Sequence, residues 1–208
     1  MARGVFITFE GGEGVGKTTQ INHLQKNLIE AGHDVITTRE PGGTKAAEEI
    51  RNLLSHKEHG ETWTPEAELM LLFAARAMHI KEVIDPALTS GKIILCDRYI
   101  DSTRVYQGYL QSVDMDFILD LEKRIVGQYI PNITLIFDIP AEQAMERVNA
   151  RGARDHYDRG NLEFYEQLRQ GFLQIAKDNQ SRCVTIDASQ NENTIANDIL
   201  AKVKDKLG

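Results

Sequence analysis

The residues from Gly11 to Thr18 read GGEGVGKT and match the pattern G-x-x-x-x-G-K-[ST]. Glycines in this pattern let backbone N–H groups turn inwards around phosphate oxygens, and the helix that begins near Lys17 adds its positive end. The Lys17 ammonium then reaches the β- and γ-phosphates, and the Thr18 hydroxyl ligates Mg²⁺. An apolar strand before the loop and an amphipathic helix after it favour this interpretation over a chance glycine-rich turn. The predicted nucleotide-binding residues are consecutive in the chain: Gly11, Gly12, Glu13, Gly14, Val15, Gly16, Lys17, Thr18 and Thr19.

A second group of residues that could take part in catalysis follows a later apolar run, in the order Cys96, Asp97, Arg98 and Tyr99. A carboxylate at the tip of a strand beside the phosphate loop is placed to hold Mg²⁺, directly or through water. Arg98 offers a fork of donors that suits phosphate. The alternative is a surface salt bridge between Asp97 and Arg98, and the strand-tip position argues against it. No N-K-x-D guanine-reading motif occurs, so ATP is the expected nucleotide.

Four arginines are concentrated in a short segment that also contains Gly152 and Gly160: Arg147, Arg151, Arg154 and Arg159. The helical pattern breaks at Gly152 and resumes by Leu162, which predicts a loop at about 150–160. We expect a lid there that closes over ATP and offers an arginine to the moving phosphoryl group. The alternative is a solvated loop whose charge is neutralised by its own aspartates.

The elements that must position these residues follow from hydrophobic patterning. Five apolar segments are predicted strands: Val5–Phe9, Val35–Thr38, Lys92–Cys96, Thr134–Phe137 and Cys183–Ile186. Seven amphipathic segments are predicted helices: Thr18–Glu30, Thr44–Leu54, Pro65–Leu88, Asp116–Val126, Ala141–Asn149, Leu162–Asp178 and Glu192–Leu207. Strands that alternate with helices form right-handed βαβ units. The prediction is an α/β fold, a doubly wound five-stranded parallel sheet flanked by helices, in one domain over 1–208.

Composition narrows the class of ligand and compartment. The 208 residues include 24 Lys and Arg against 31 Asp and Glu, a net charge of −7, so a general basic surface for nucleic acid is absent. A local cluster of cations in an acidic chain points to a small anion. Cys96 and Cys183 are expected to be buried thiols. No apolar run is long enough to span a membrane and no signal peptide is visible, so a cytoplasmic location is expected.

Several motifs in order resemble the bacterial thymidylate kinase family, one of the P-loop nucleoside monophosphate kinases. The resemblance extends from Val5 to about Ser189, and each motif alone is weak whereas the ordered set is specific. Besides the phosphate loop and the arginine-rich segment, the motifs are TREPGGT (Thr38–Thr44), LLFAAR (Leu71–Arg76), DRY (Asp97–Tyr99) and YQG (Tyr106–Gly108).

The resemblance implies roles for residues around the phosphate and sugar of dTMP. Arg39 and Arg98 would bind the 5′-phosphate from two sides, as guanidinium groups can. Glu13, a carboxylate within a phosphate-binding loop, would accept a hydrogen bond from the 3′-hydroxyl. Tyr106 would lie against C2′ and leave no room for a ribose hydroxyl; packing under a loop is its alternative role.

The resemblance also implies a base pocket. Arg76 would donate to thymine O4, unless it is a solvated helix residue, and Gln107 would pair with N3–H. Ser102 is a further expected contact. Relatives often carry a stacking Phe where this chain has Leu72, and the adjacent Phe73 points about 100° away on a helix. Leu72 and Phe73 are both predicted substrate-binding residues, with an aliphatic floor under the base.

The expected reaction is ATP-dependent, Mg²⁺-assisted phosphorylation of dTMP to dTDP. Expected catalytic residues are Lys17, Arg98 and one of three lid arginines, which the sequence does not separate: Arg151, Arg154 and Arg159. The loop after the last strand, 187–189, is expected near adenine, and the family resemblance implies a homodimer. The alternatives are a related kinase acting on another monophosphate or a deoxynucleoside, and an ATP-binding regulatory module.

Overall fold

A computed structural model describes residues 3–55, 63–151 and 160–207. One five-stranded sheet has the order β2-β3-β1-β4-β5, and every neighbouring pair is parallel. Its strands are β1 (Val5–Glu10), β2 (Val35–Arg39), β3 (Ile93–Asp97), β4 (Ile133–Asp138) and β5 (Cys183–Asp187). Because all strands run the same way, their carboxyl ends share one edge, with β1 in the centre. The predicted doubly wound parallel sheet is confirmed.

The helices of the described residues alternate with these strands. Two predicted helices continue through wider, π-type turns at Ile80–Ile84 and Glu122–Val126. The helices are α1 (Lys17–Glu30), α2 (Lys45–Ser55), α3 (Pro65–His79, then Ile80–Ile84 and Asp85–Thr89), α4 (Ile100–Thr103, then Arg104–Leu110), α5 (Met115–Leu121, then Glu122–Val126), α6 (Ala141–Arg151), α7 (Leu162–Asp178) and α8 (Glu192–Leu207).

Helices cover both faces of the sheet because successive side chains of a strand point to opposite sides. On β1, Phe6 belongs to a buried cluster that includes side chains of α3 and α5. Ile7 and Phe9 belong to another, with side chains of α1, α6 and α8. This double burial explains why the inner strands are almost continuously apolar.

Helix α4 was missed by the sequence prediction. Its first residues are polar or β-branched and have low intrinsic helix propensity. It is also buried on most sides, so it lacks the amphipathic period that reveals a surface helix. Tertiary contacts hold it instead: the Arg182 guanidinium donates to both carboxylate oxygens of the buried Asp101 at 2.7 Å. Helix α4 carries Ser102, Tyr106 and Gln107 to the edge of the sheet where the phosphate loop lies.

Candidate active site

The loop between β1 and α1 begins at Gly11 and leads into the helix at Lys17. Gly11, Gly14 and Gly16 have φ angles of 135°, 76° and 94°, in the left-handed region that favours glycine. At Gly14 a Cβ atom would lie 2.5 Å from the Ala144 carbonyl oxygen of α6. A larger residue there would push the loop away from α6, so glycine is required both by conformation and by space.

Lys17 is a buried cation held by its own loop. Its Nζ donates to the carbonyl oxygens of Gly11 at 3.0 Å and Gly12 at 2.7 Å. Burial, with a smaller contribution from Arg98, lowers the pKa of Lys17 to about 8. A desolvated ammonium at the start of a helix is a strong attractor for a phosphate oxygen, because the phosphate replaces lost solvation.

Thr18 and Asp97, the two residues predicted to hold Mg²⁺, lie next to each other. The Thr18 hydroxyl lies 3.5 Å from Asp97 Oδ2, and Asp97 Oδ1 is buried without a hydrogen-bond partner among the residues that the structure describes. A buried carboxylate oxygen normally has a partner, so an orphan oxygen here fits a ligand that the chain itself does not supply. Hydroxyl and carboxylate oxygens suit Mg²⁺, which also keeps waters and substrate phosphates as ligands. No cluster of three or more His, Cys, Asp or Glu residues forms an all-protein metal site within the described ranges.

A pocket opens beside the loop, between α2, α3 and α4. It brings together seven of the nine predicted substrate-binding residues: Glu13, Leu72, Arg76, Arg98, Ser102, Tyr106 and Gln107. Pro41 of the TREPGGT motif also lines it, and so do Arg51 and Leu54, which no sequence motif indicated. Because these residues come from separate parts of the chain, only the fold assembles the pocket.

Arg98 lies between the phosphate loop and the pocket. It has a φ of 67°, directly after β3, and this turn directs its side chain back to the loop. Its guanidinium donates to the Gly11 carbonyl oxygen at 3.0 Å, to Ser102 Oγ at 3.1 Å and to Glu13 Oε1 at 2.8 Å. The Tyr106 hydroxyl donates to the same Glu13 oxygen at 2.6 Å, whereas Glu13 Oε2 is buried and finds no partner within the described ranges. The group therefore combines a fixed cation with one unused acceptor.

Arg39 lies apart from this group. Its guanidinium pairs with Glu48 of α2 at 2.8 Å, is about half exposed, and does not line the pocket. The expectation that Arg39 and Arg98 bind one phosphate from two sides stays a prediction. Arg51, whose Nη1 donates to the Pro41 carbonyl oxygen at 3.1 Å, lines the pocket together with Arg76 and Arg98.

Arg76 is buried, not solvated. Its Nε donates to Glu40 Oε2 at 2.7 Å, and its Nη2 donates to Thr103 Oγ1 at 2.9 Å and to the Tyr99 carbonyl oxygen at 3.2 Å. Its Nη1 is buried and no described residue pairs with it, although the residue lines the pocket. A buried guanidinium nitrogen without an acceptor is costly, so this donor fits an acceptor atom on a ligand.

Leu72 and Phe73 separate as helical geometry requires. Leu72 lines the pocket, whereas Phe73 is buried in the core and absent from the pocket lining. The centroid of the Phe73 ring instead lies 4.9 Å from the Arg76 guanidinium carbon, so the ring packs against the guanidinium from the core side. Gln107 is buried at the pocket, and its amide nitrogen donates to Glu68 Oε1 at 2.7 Å.

Comparison with known proteins decides the family. A family model described as thymidylate kinase matches residues 9–199. The thymidylate kinase of Caulobacter vibrioides is 46% identical over 208 residues, which cover 100% of both chains. That of Bartonella quintana is 48% identical over 200 residues, covering 94% of this chain and 93% of the relative. The chain belongs to the thymidylate kinase family.

A solved member of the thymidylate kinase family has the same fold. The crystal structure of thymidylate kinase from Ehrlichia chaffeensis superposes with a TM-score of 0.79 at 35% identity, covering 97% of this chain and 99% of that one. The family prediction is confirmed, and with it the class of enzyme. No helix in the described part of the chain combines the length and apolarity needed to cross a membrane.

Two buried carboxylates of the site were given no role by the sequence analysis. Glu10 ends β1 and accepts from the Tyr99 amide at 2.7 Å and from Ser102 Oγ at 2.6 Å. Burial, then repulsion from Asp101, raises the pKa of Glu10 to about 7. Glu40 holds Arg76 and accepts from His79 Nδ1 at 2.8 Å. The available signal was an acidic residue directly at the end of an apolar strand, where a parallel sheet places functional groups.

The structure does not describe the side chains of the three predicted lid arginines. Arg154 and Arg159 lie outside the described residues, and so does the Arg151 side chain, although α6 reaches that residue. Arg147 is placed: both its Nη atoms lie 3.3 Å from the Ala188 carbonyl oxygen, in the loop expected near adenine. The catalytic role of one lid arginine stays a prediction.

Proposed function

We propose that the chain transfers the γ-phosphoryl group of ATP to the 5′-phosphate of dTMP, giving ADP and dTDP, with the pocket described above as the acceptor site. The observation that carries this assignment of the pocket is Arg76 Nη1, a buried donor at a pocket beside the phosphate loop, for which the described part of the chain supplies no acceptor. Thymine O4 is an acceptor, whereas cytosine has an amino group at that position. A buried donor therefore favours thymine, because the wrong base leaves it unpaired.

At the phosphate end, Lys17 and Arg98 would hold the reacting groups. The acceptor phosphate is already ionised at neutral pH, so no general base is required. Catalysis then consists of alignment in line and neutralisation of the charge that develops. Arg98 links the phosphate loop to the pocket, since it contacts Gly11 of the loop and Ser102 of the pocket.

Thr18 and Asp97 would hold Mg²⁺ together with the nucleotide phosphates. The unpartnered Asp97 Oδ1 supports this role. When bound, Mg²⁺ supplies neutralisation of charge on the β- and γ-phosphate oxygens.

Glu13 and Tyr106 would select the sugar. Glu13 Oε2 is free to accept a hydrogen bond from the 3′-hydroxyl, because Arg98 and Tyr106 pair with Oε1. The Tyr106 ring is then fixed at both ends, by Glu13 at its hydroxyl and by Phe172, whose ring centroid lies 6.4 Å away. A fixed ring excludes a 2′-hydroxyl better than a mobile one.

A homodimer is the proposed assembly. Helix α3 exposes Met70 and Met78, at 50% and 37% of their surfaces, and α5 exposes Phe117 and Leu119. Met70, Ala74 and Met78 are spaced four apart and form one stripe of α3. A second copy that covers this apolar stripe would bury it without touching the phosphate loop, which lies at the edge of the sheet.

ADP release by the wild-type chain tests the function. With ATP and Mg²⁺ the substrates to compare are dTMP, dUMP, dCMP, dGMP and the nucleoside thymidine. The proposal predicts fast turnover with dTMP and none above background with thymidine, because a nucleoside leaves Arg98 without its phosphate. Faster turnover with thymidine or dGMP than with dTMP would overturn it.

A further inference from the structure

The amide of Gln107 has two faces of opposite character. Its carbonyl oxygen accepts hydrogen bonds and its nitrogen donates them, so either could face the pocket after a simple rotation. Thymine carries a hydrogen on N3 and needs an acceptor there, whereas cytosine has a lone pair on N3 and needs a donor. The orientation of this one amide therefore decides which pyrimidine edge it fits.

Glu68 contacts the Gln107 amide from the side away from the pocket. Gln107 Nε2 donates to Glu68 Oε1 at 2.7 Å, and both side chains are only 2% exposed. A carboxylate has acceptor oxygens and no donor, so it pairs with the amide nitrogen and not with the carbonyl oxygen. Gln107 lines the pocket, and no donor among the described residues pairs with its Oε1. The acceptor end is the one left for a ligand.

The surroundings keep Glu68 in place. It lies in the first turn of α3, which Thr64 caps by accepting from the Ala67 amide at 3.3 Å. The positive end of a helix stabilises a carboxylate in its first turn. Gln111 donates to the same Glu68 oxygen at 3.3 Å, so two amides of the α4 region converge on one acceptor.

We infer that Glu68 is a positioning residue for base selection: it holds the Gln107 amide with its oxygen towards the pocket, so that the site accepts a pyrimidine with a hydrogen on N3. The inference rests on the proposed function, since it assigns a partner to a residue of the same base pocket. A merely structural role would make Glu68 important for folding and for all substrates equally. The positioning role affects one edge of the base and nothing else.

The test compares three substrates in Glu68→Gln, whose new amide can donate or accept and so lets Gln107 turn over. dTMP and 5-methyl-dCMP differ only at N3 and C4, whereas dTMP and ribothymidine 5′-monophosphate differ only at C2′. We expect the ratio of kcat/KM for dTMP over 5-methyl-dCMP to fall about tenfold or more. The ratio for dTMP over the ribonucleotide and the KM for ATP should stay at wild-type values.

Glu66→Gln is the matched control, because it makes the same change on the exposed side of the same helix turn. It should leave both ratios unchanged. The inference is overturned if Glu68→Gln keeps the wild-type base ratio, or if the base and sugar ratios fall together.

An exchange of the two residues provides a second, independent variant. Glu68→Gln combined with Gln107→Glu conserves charge and the hydrogen bond, and puts an obligatory acceptor at the pocket. This double variant should regain the wild-type preference for dTMP, whereas lost preference contradicts the inference even if Glu68→Gln alone does not fold. Wild-type chain that releases no ADP with dTMP contradicts the proposed function itself, which separates the two failures.

Discussion

Each cation of the site is held by an acceptor of the chain itself. Lys17 contacts carbonyl oxygens of its loop, Arg98 contacts Glu13, and Arg76 contacts Glu40. Such cations are oriented before any substrate binds, so little reorganisation is needed when negative charge develops. Removing a cation also leaves a buried carboxylate or carbonyl group without its partner. The resulting loss of stability must be measured separately from the loss of catalysis.

Lys17→Ala should leave a folded chain whose kcat is at least about a hundredfold lower, because it removes charge where phosphoryl transfer develops it. Steady-state ADP release with dTMP measures this, and circular dichroism checks the fold. Lys26→Ala, an exposed lysine of the same helix, is the control and should keep wild-type kcat. Near wild-type turnover in Lys17→Ala would contradict the assignment of the phosphate loop.

Arg76→Ala should weaken dTMP binding at least about tenfold while ATP affinity persists, since Arg76 lies in the pocket and not in the phosphate loop. It should also lower the free energy of unfolding by about 3–5 kcal/mol, because Glu40 loses a buried ionic partner. Titration calorimetry with each ligand and urea unfolding give the two numbers. Unchanged dTMP affinity would show that Arg76 is only a core residue.

At the scale of elements, α4 is the helix that completes the pocket, and one ion pair anchors it. Arg182, which precedes β5, pairs through two hydrogen bonds with Asp101, whose side chain is fully buried. The Arg182 guanidinium also donates to Thr134 Oγ1 of β4 at 2.9 Å. The anchor therefore ties a helix of low intrinsic propensity to two neighbouring strands.

Arg182→Ala should lower the free energy of unfolding by about 3–5 kcal/mol and raise the KM for dTMP, because α4 carries Tyr106 and Gln107. Arg124→Ala breaks an equally short pair with Asp120, at 2.7 Å, but on the exposed surface of α5. That control should have little effect on the free energy of unfolding, because water screens an exposed pair. Equal effects of the two substitutions in urea unfolding would show that α4 does not depend on the anchor.

At the scale of the whole molecule, the apolar stripe on α3 predicts association. Met70→Glu combined with Met78→Glu should convert a dimer into a monomer, since charges replace apolar contacts in a buried interface. Light scattering coupled to gel filtration measures the mass. Ile29→Glu, which alters an equally exposed apolar residue of α1, should leave the dimer intact. A wild-type chain that is monomeric at micromolar concentration would contradict the proposed assembly.

Local signals were enough for the sheet and the phosphate loop. The strands are short apolar runs, and β1 was predicted to within one residue of its observed end at Glu10. Helix α4 could not be predicted because it lacks a local amphipathic pattern, and the pair that anchors it joins Asp101 to Arg182, 81 residues apart in the chain. No local pattern records such a contact.

Sequence motifs likewise identified some residues of the site but not the partners that hold them. Motifs indicated Arg76 and Gln107, but not that Arg76 is buried or that Glu40 and Glu68 hold these two side chains. Partners of buried polar groups come from separate elements, so they become visible only when the elements are packed.

Transfer of label from γ-³²P-labelled ATP tests the central claim most directly. With wild-type chain, Mg²⁺ and dTMP, we predict that the label appears in dTDP, and that dCMP reacts with kcat/KM lower by about 10⁴. Label that accumulates as inorganic phosphate, or equal kcat/KM for dTMP and dCMP, would contradict the account.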